Sequence, residues 1–254
     1  MASENIDNAL TDFLSRNRKP VLLCSGIIVL AVVIFLIANV VIDVRNTTAI
    51  GILDETFIPR YEKLLNASGG GEGERAPERE GEGGEEEERQ EAANTNEIGD
   101  TAEALIKDLT EFAASCSGYP SAKAWTMIGS LYFEKAAWKE AEEAFLQGAK
   151  QGAKTYLASG SYYNAAVAAE ENEDIERALG LYTQALSYQD FPEAAHTQFA
   201  IGRLYELQEK PDLAKKAYQT LVDTYTDYTD WTQLATDRLI ALDTGGTLVT
   251  TQAP

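Results

Sequence analysis

A pattern that recurs in register constrains this chain more than any other feature. Trp125, Ile128, Gly129 and Tyr132 are followed by Ala141 and Phe145; 37 residues on come Tyr162, Ala165, Ala166 and Ala169, then Ala178, Tyr182 and Ala185; 36 further on, Ile201, Gly202 and Tyr205 precede Ala214 and Tyr218. Spacings of three and four put each set on one face of a helix, and each set has room for a helix, a turn and a second helix. The small residues let two backbones approach, and the aromatics fill the space beside the crossing. One such hairpin leaves an apolar face open, so neighbours must stack, and about three are the minimum for stability. No run of alternating β-branched residues appears, so the expected fold class is all-α. The pattern predicts a helix-turn-helix solenoid with helices over 101–115, 121–136, 138–151, 155–172, 174–188, 192–209, 211–225 and 229–242, joined by short connections.

Residues 122–226 resemble the tetratricopeptide repeat, whose pattern is Trp-x2-Leu-Gly-x2-Tyr and then Ala-x3-Phe. Leu105, Ile106, Leu109 and Phe112 look like an N-terminal cap, and Leu234, Leu239, Ile240 and Leu242 like a C-terminal one. The resemblance implies a non-catalytic scaffold with a concave groove lined by the first helix of each repeat. Matched position by position, the groove holds Lys123, Thr126, Ser130, Phe133 and Glu134, then Gly160, Tyr163, Val167, Glu170 and Glu171, then His196, Phe199, Arg203, Glu206 and Leu207. Phe133, Tyr163 and Phe199 among acids suit a protein or peptide partner with apolar anchors and basic flanks; the alternative is that these rings cover core. Thr126, Ser130 and Val167 stand where carboxylate-gripping relatives carry Lys, Asn and Arg, which argues against a clamp for chain termini.

Val21 to Ile42 form a second constraint: 22 residues with polar side-chain atoms only at Cys24, Ser25 and Asn39 and no charge. A helix of that length crosses the ~30 Å hydrocarbon core, so a single transmembrane span is expected rather than a signal peptide. Arg16, Arg18 and Lys19 before the span outweigh Arg45 after it, which predicts a cytoplasmic N-terminus and places residues 43–254 outside. Ile6, Leu10, Phe13 and Leu14 share a helical face in the tail. Ile50, Leu53, Phe57, Tyr61 and Leu64 do so after the span, as a stalk through which copies of the chain could pair, although Pro59 weakens a coiled coil.

Residues 69–91 contain ten Glu, three Arg and no large apolar side chain, so they cannot bury enough surface to offset ~1–2 kcal/mol of backbone entropy per residue. The expected organisation is a cytoplasmic tail (1–20), a transmembrane helix (21–42), a membrane-proximal stalk (43–68), a disordered acidic linker (69–96), the repeat domain (97–243) and a flexible tail (244–254). The 41 acids and 21 bases leave a net charge of −20, which argues against nucleic-acid binding. His196 is the single histidine and the cysteines are Cys24 and Cys116, too few for a zinc site, and no phosphate-cradling or nucleophile motif occurs. Neither a cofactor nor a metal is therefore expected. The order of parts is similar to the YfgM-type ancillary proteins of the bacterial inner membrane, which implies a role in chaperoning, secretion or envelope assembly. The reverse topology would resemble an organelle-surface receptor with cytosolic repeats, a use that Asn46-Thr47-Thr48 and Asn66-Ala67-Ser68 fit as glycosylation sequons only by a weak three-residue match. An accessory subunit of an enzyme or motor complex is the other alternative.

Overall fold

In the computed structural model, the described residues are 18–67 and 101–245. The tail 1–17, the stretch 68–100 with its expected linker, and residues 246–254 lie outside them. Among the described residues there is no strand. The helices are α1 (Arg18–Ile52), a π-helical turn (Leu53–Phe57), α2 (Ile58–Ala67), α3 (101–115), α4 (Tyr119–Glu134), α5 (Trp138–Gln151), α6 (Leu157–Glu171), α7 (Ile175–Ala185), α8 (Ala194–Leu207), α9 (Pro211–Thr224) and α10 (Thr229–Asp243). The chain divides into two compact units, Met1–Thr48 and Ala49–Pro254.

In the first unit, α1 exposes its apolar side chains from Ile27 to Val44. Its polar groups turn back on the helix: Asn39 Nδ2 donates to the Phe35 carbonyl at 2.8 Å, and the Thr47 and Thr48 hydroxyls donate to the carbonyls of Asp43 and Val44 at 3.0 Å. Such self-satisfaction lowers the cost of placing polar atoms in hydrocarbon. The helical stretch from Gly26, with a mean hydropathy of 3.0 in its most apolar window, is long and apolar enough to cross a membrane, a test that a signal sequence also meets.

The second unit begins before the acidic stretch. Leu53, Phe57 and Leu64 share one core with Leu105, Ile106, Leu109 and Phe112 of α3 and with Met127, Ile128 and Leu131 of α4. The Phe57 and Phe112 rings lie 5.0 Å apart, and Arg60 pairs with Asp108 at 2.9 Å. The apolar face expected to serve a stalk or a second copy is thus occupied within the chain. The acidic stretch interrupts the folded unit instead of preceding it. Pro59 explains the π-turn: it has no N–H to donate and its ring crowds the carbonyl four residues back, and a widened turn relieves both. The Ile58 amide closes that turn on the Leu53 carbonyl.

Beyond α3, each helix packs chiefly on its neighbours in sequence, as stacked hairpins do. Gly129 and Gly202 mark the tightest crossings, where a Cβ would lie 2.6 Å from the Phe145 ring and 2.5 Å from the Tyr218 ring. At α10 the capping face differs from expectation. Ala235 is buried and Trp231, Leu239 and Leu242 pack on the last core, whereas Leu234 and Ile240 face outward. The helix predicted over 174–188 stops at Ala185, before a longer turn in which Asp190 has φ 58° and Phe191 is buried.

The turn inside each hairpin is the same device three times. Ala136, Glu173 and Glu209 have φ of 53°, 60° and 55°. Around them Ala137, Asp174 and Lys210 donate their amides to the carbonyls of Tyr132, Ala169 and Tyr205, each at 2.9 Å, which is the Schellman closure of a helix. That position favours glycine, and left-handed backbone costs an ordinary residue ~1–2 kcal/mol. Glu173→Gly should therefore raise stability by about 0.5–1 kcal/mol despite removing a side chain. A lower denaturation midpoint for this variant would show that the turn carries no such strain.

Candidate peptide-binding groove

The first helices of the repeats, α4, α6 and α8, carry the groove residues expected from sequence. Ser130, Phe133, Glu134, Tyr163 and Val167 come together around a cavity of about 320 Å³, joined by Phe145, Asn164 and, from α2, Tyr61 and Leu65. Tyr61 and Ser130 hydrogen-bond, and burial together with nearby Glu134 pushes the Tyr61 phenol above its ordinary pKa. Thr126 and Gly160 line a separate, larger cavity of about 740 Å³ with the turns around Tyr156 and Phe191. Lys123, Glu171 and Leu207 line neither.

At the far end the groove residues are engaged with one another. His196 stacks on Trp231 with centroids 4.3 Å apart, and its Nδ1 lies 3.0 Å from the Tyr163 hydroxyl. Phe199 packs between Tyr218 and Trp231, so α10 covers both residues. Burial and Arg203 hold the His196 pKa below its usual value against the opposing pull of Glu193 and Glu170. The imidazole meets the rings of Trp231 and Tyr163 instead of a Ser or Cys nucleophile. Burial pushes the Cys116 thiol up to about 11, and its Sγ donates to the Phe112 carbonyl at 3.3 Å, which leaves it a poor nucleophile at neutral pH. Among the described residues no group of three His, Cys, Asp or Glu could hold a metal ion.

Among the described residues several ion pairs join successive repeats, Arg177 with Glu142 and Lys210 with Glu176 among them, and two of them form rungs with a tyrosine hydroxyl. Arg203 pairs with Glu170, which also accepts from the Tyr182 hydroxyl at 3.1 Å. Arg238 pairs with Glu206, which accepts from the Tyr218 hydroxyl at 2.6 Å. These partners are 33 and 32 residues apart, so sequence alone does not join them. Burial works to raise the Glu206 pKa, but the hydrogen bonds from Arg238 and Tyr218 outweigh it and the net direction is down. A carboxylate held low contributes stability that is complete above its unfolded pKa, near 4.3, and is lost as pH falls through the folded value. We expect acid to weaken the C-terminal half of the array below about pH 4.5 by this route. Arg238→Ala should cost about 1 kcal/mol at pH 7 and much less at pH 3, because the pair is partly exposed and screened. Equal losses at both pH values in chemical denaturation would contradict this.

No family model matches the chain. A curated Treponema pallidum protein named TPR repeat-containing protein is 30% identical over 146 residues, which are 57% of this chain and 61% of that one. The matched region thus spans about three-fifths of the relative's length. Two solved structures of nearly identical TPR-like repeats, from a kinesin-light-chain candidate of Podosopora anserina, are 14% identical. They overlap 62% and 66% of this chain and 84% and 97% of theirs, with TM-scores of 0.45 and 0.41, too low to weigh beside the repeat spacing itself. The stacked hairpins define a helical-repeat array. In its recurring Gly/Ala–aromatic crossings and in its match to the bacterial relative, the chain is similar to tetratricopeptide-repeat proteins.

Proposed function

We propose that this chain is a membrane-anchored, non-catalytic adaptor that binds a segment of a partner protein in the groove of its repeats. The observation that carries the reading is the convergence of Ser130, Phe133, Glu134, Tyr163 and Val167, from two successive repeats, on one open cavity. Pockets of this kind combine apolar walls with a few polar groups that fix orientation. The exposed apolar surface of α1 supports the anchor, and the Arg and Lys residues before it support a cytoplasmic N-terminus with the repeats on the periplasmic side of a bacterial inner membrane. There it would serve envelope assembly, secretion or chaperoning.

Topology is tested by fusing alkaline phosphatase or a cytosol-dependent fluorescent protein after Pro254. Phosphatase activity without fluorescence is the expected result; the opposite pair would move the repeats to the cytosol. Groove use is tested with a photocrosslinking residue at Tyr163 and, as a control, at exposed Gln219. Crosslinks at Gln219 alone would remove the groove from the function.

A further inference from the structure

We propose that the first repeat junction is a pocket for one large apolar side chain of a partner peptide, read together with an adjacent Lys or Arg. This deepens the groove reading above and rests on it. Three junctions succeed one another along the first helices of the repeats. The later two are filled from within: Glu170, Tyr182 and Arg203 form one rung, and Glu206, Tyr218 and Arg238 the next. By the repeat offsets of 37 and 36, the positions of Glu170, Tyr182 and Arg203 are held at the first junction by Phe133, Phe145 and Val167. A short valine replaces the long arginine that spans the other junctions, and two phenylalanines replace its carboxylate and phenol partners. The cavity of about 320 Å³ opens at this place, with Tyr61 and Leu65 of α2 forming its far wall.

The chemistry of the occupant follows from that lining. Leu65, Phe133, Phe145 and Val167 form an apolar wall that favours an apolar side chain, and Tyr61, Ser130, Tyr163 and Asn164 bring hydroxyl and amide groups beside it that suit the backbone of the same peptide. The volume lies at the lower end of ligand pockets, enough for one Leu, Phe or Trp side chain and little more. Glu134 is the charged residue of the lining, it is exposed, and the ion pairs among the described residues do not include it. It therefore favours a cation next to the anchor, whereas a second copy of this chain, with net charge −20, would be repelled.

The test uses the full chain in lipid nanodiscs. The probes are fluorescent nonapeptides with a central Leu, Phe, Trp or Ser followed two residues later by Lys, Gly or Glu. The key variant, Phe133→Glu with Phe145→Tyr and Val167→Arg, rebuilds the first junction with the residues of its neighbours and should fold as they do; Val167→Arg alone is the second variant. We expect binding to require the apolar centre and to rank Lys above Gly above Glu. Both variants should weaken it by about tenfold. Glu134→Gln should weaken only the Lys peptides, by about threefold, with less salt dependence. Binding unchanged in both variants but lost on Tyr156→Ala, at the other cavity, would overturn the pocket and keep the groove. Binding indifferent to every variant, or none from any peptide, would overturn both. A change of oligomeric state in the key variant would overturn the partner assignment in favour of a second copy.

Discussion

Leu53→Ala should destabilise the repeat domain by about 2–5 kcal/mol, the cost of truncating a fully buried leucine whose surroundings relax only in part. Leu53 has 0% exposure, in a core it shares with Leu105, Leu109 and Met127. Its neighbour Ile52 is 44% exposed, so Ile52→Ala should change stability by less than about 0.5 kcal/mol. The comparison separates two organisations. A stalk merely carrying the domain would make the two substitutions equivalent. A first layer of the solenoid makes Leu53 matter as much as a leucine inside the repeats, such as Leu204 or Leu221, both 0% exposed. The measurement is the denaturation midpoint of the full chain in nanodiscs, followed by circular dichroism. Equal midpoints for the two variants would sink the integral-layer account.

Gly202→Val and Gly180→Ala should shift stability in opposite directions. Both glycines lie within helices, where replacing glycine ordinarily gains up to about 1 kcal/mol from backbone entropy. At Gly180 a Cβ meets nothing within 4 Å, so that gain should appear undiminished. At Gly202 it would lie 2.5 to 2.8 Å from three atoms of the Tyr218 ring. That ring cannot swing away, because it is fully buried and its hydroxyl is held by Glu206 at 2.6 Å. Overpacking of this sort costs about 1–3 kcal/mol, more than the propensity gain, and the second branch of valine adds to it. A neutral Gly202→Val would mean that the helix crossing tolerates a wider spacing than the structure shows.

The repeats were legible because their determinants are local and periodic. Gly129 and Phe145, or Gly202 and Tyr218, are 16 residues apart, and the same offset recurs with Ala166 and Tyr182. Helix boundaries followed, apart from the long turn after Ala185. The first layer was not legible as such. Leu53, Phe57, Tyr61 and Leu64 do read as a helical face, but the partners on α3 lie beyond an acidic stretch that composition marks as a boundary, and no Ala-x3-aromatic signature labels the pair. For the same reason nothing in the sequence marks Tyr61 and Leu65 as walls of the cavity between the first two repeats. At the other end, His196 and Phe199 have the spacing of open groove, and nothing local announces that Trp231 folds over them. The third repeat lacks an aromatic where Trp125 and Tyr162 stand; Gln198 occupies the place and satisfies itself by donating to the Ala217 carbonyl at 3.0 Å. The ionic rungs were visible only as single charges, since a pairing across 32 or 33 residues depends on how one hairpin lies on the next.

The joining of α2 to α3 through residues 68–100 has a consequence for covalent connectivity. The π-turn with α2 on one side and α3 on the other meet in one core and are held by Leu53, Phe57, Leu64, Leu105 and Leu109 whether or not the peptide chain between them is whole. Closure entropy grows only with the logarithm of loop length, so doubling the insert would cost about 0.6 kcal/mol. The chain is thus built like a split protein whose halves happen to be linked. A cut in the acidic segment would divide the polypeptide into an N-terminal piece and a repeat piece while leaving them docked, and foreign sequence could be spliced there with little effect on the solenoid.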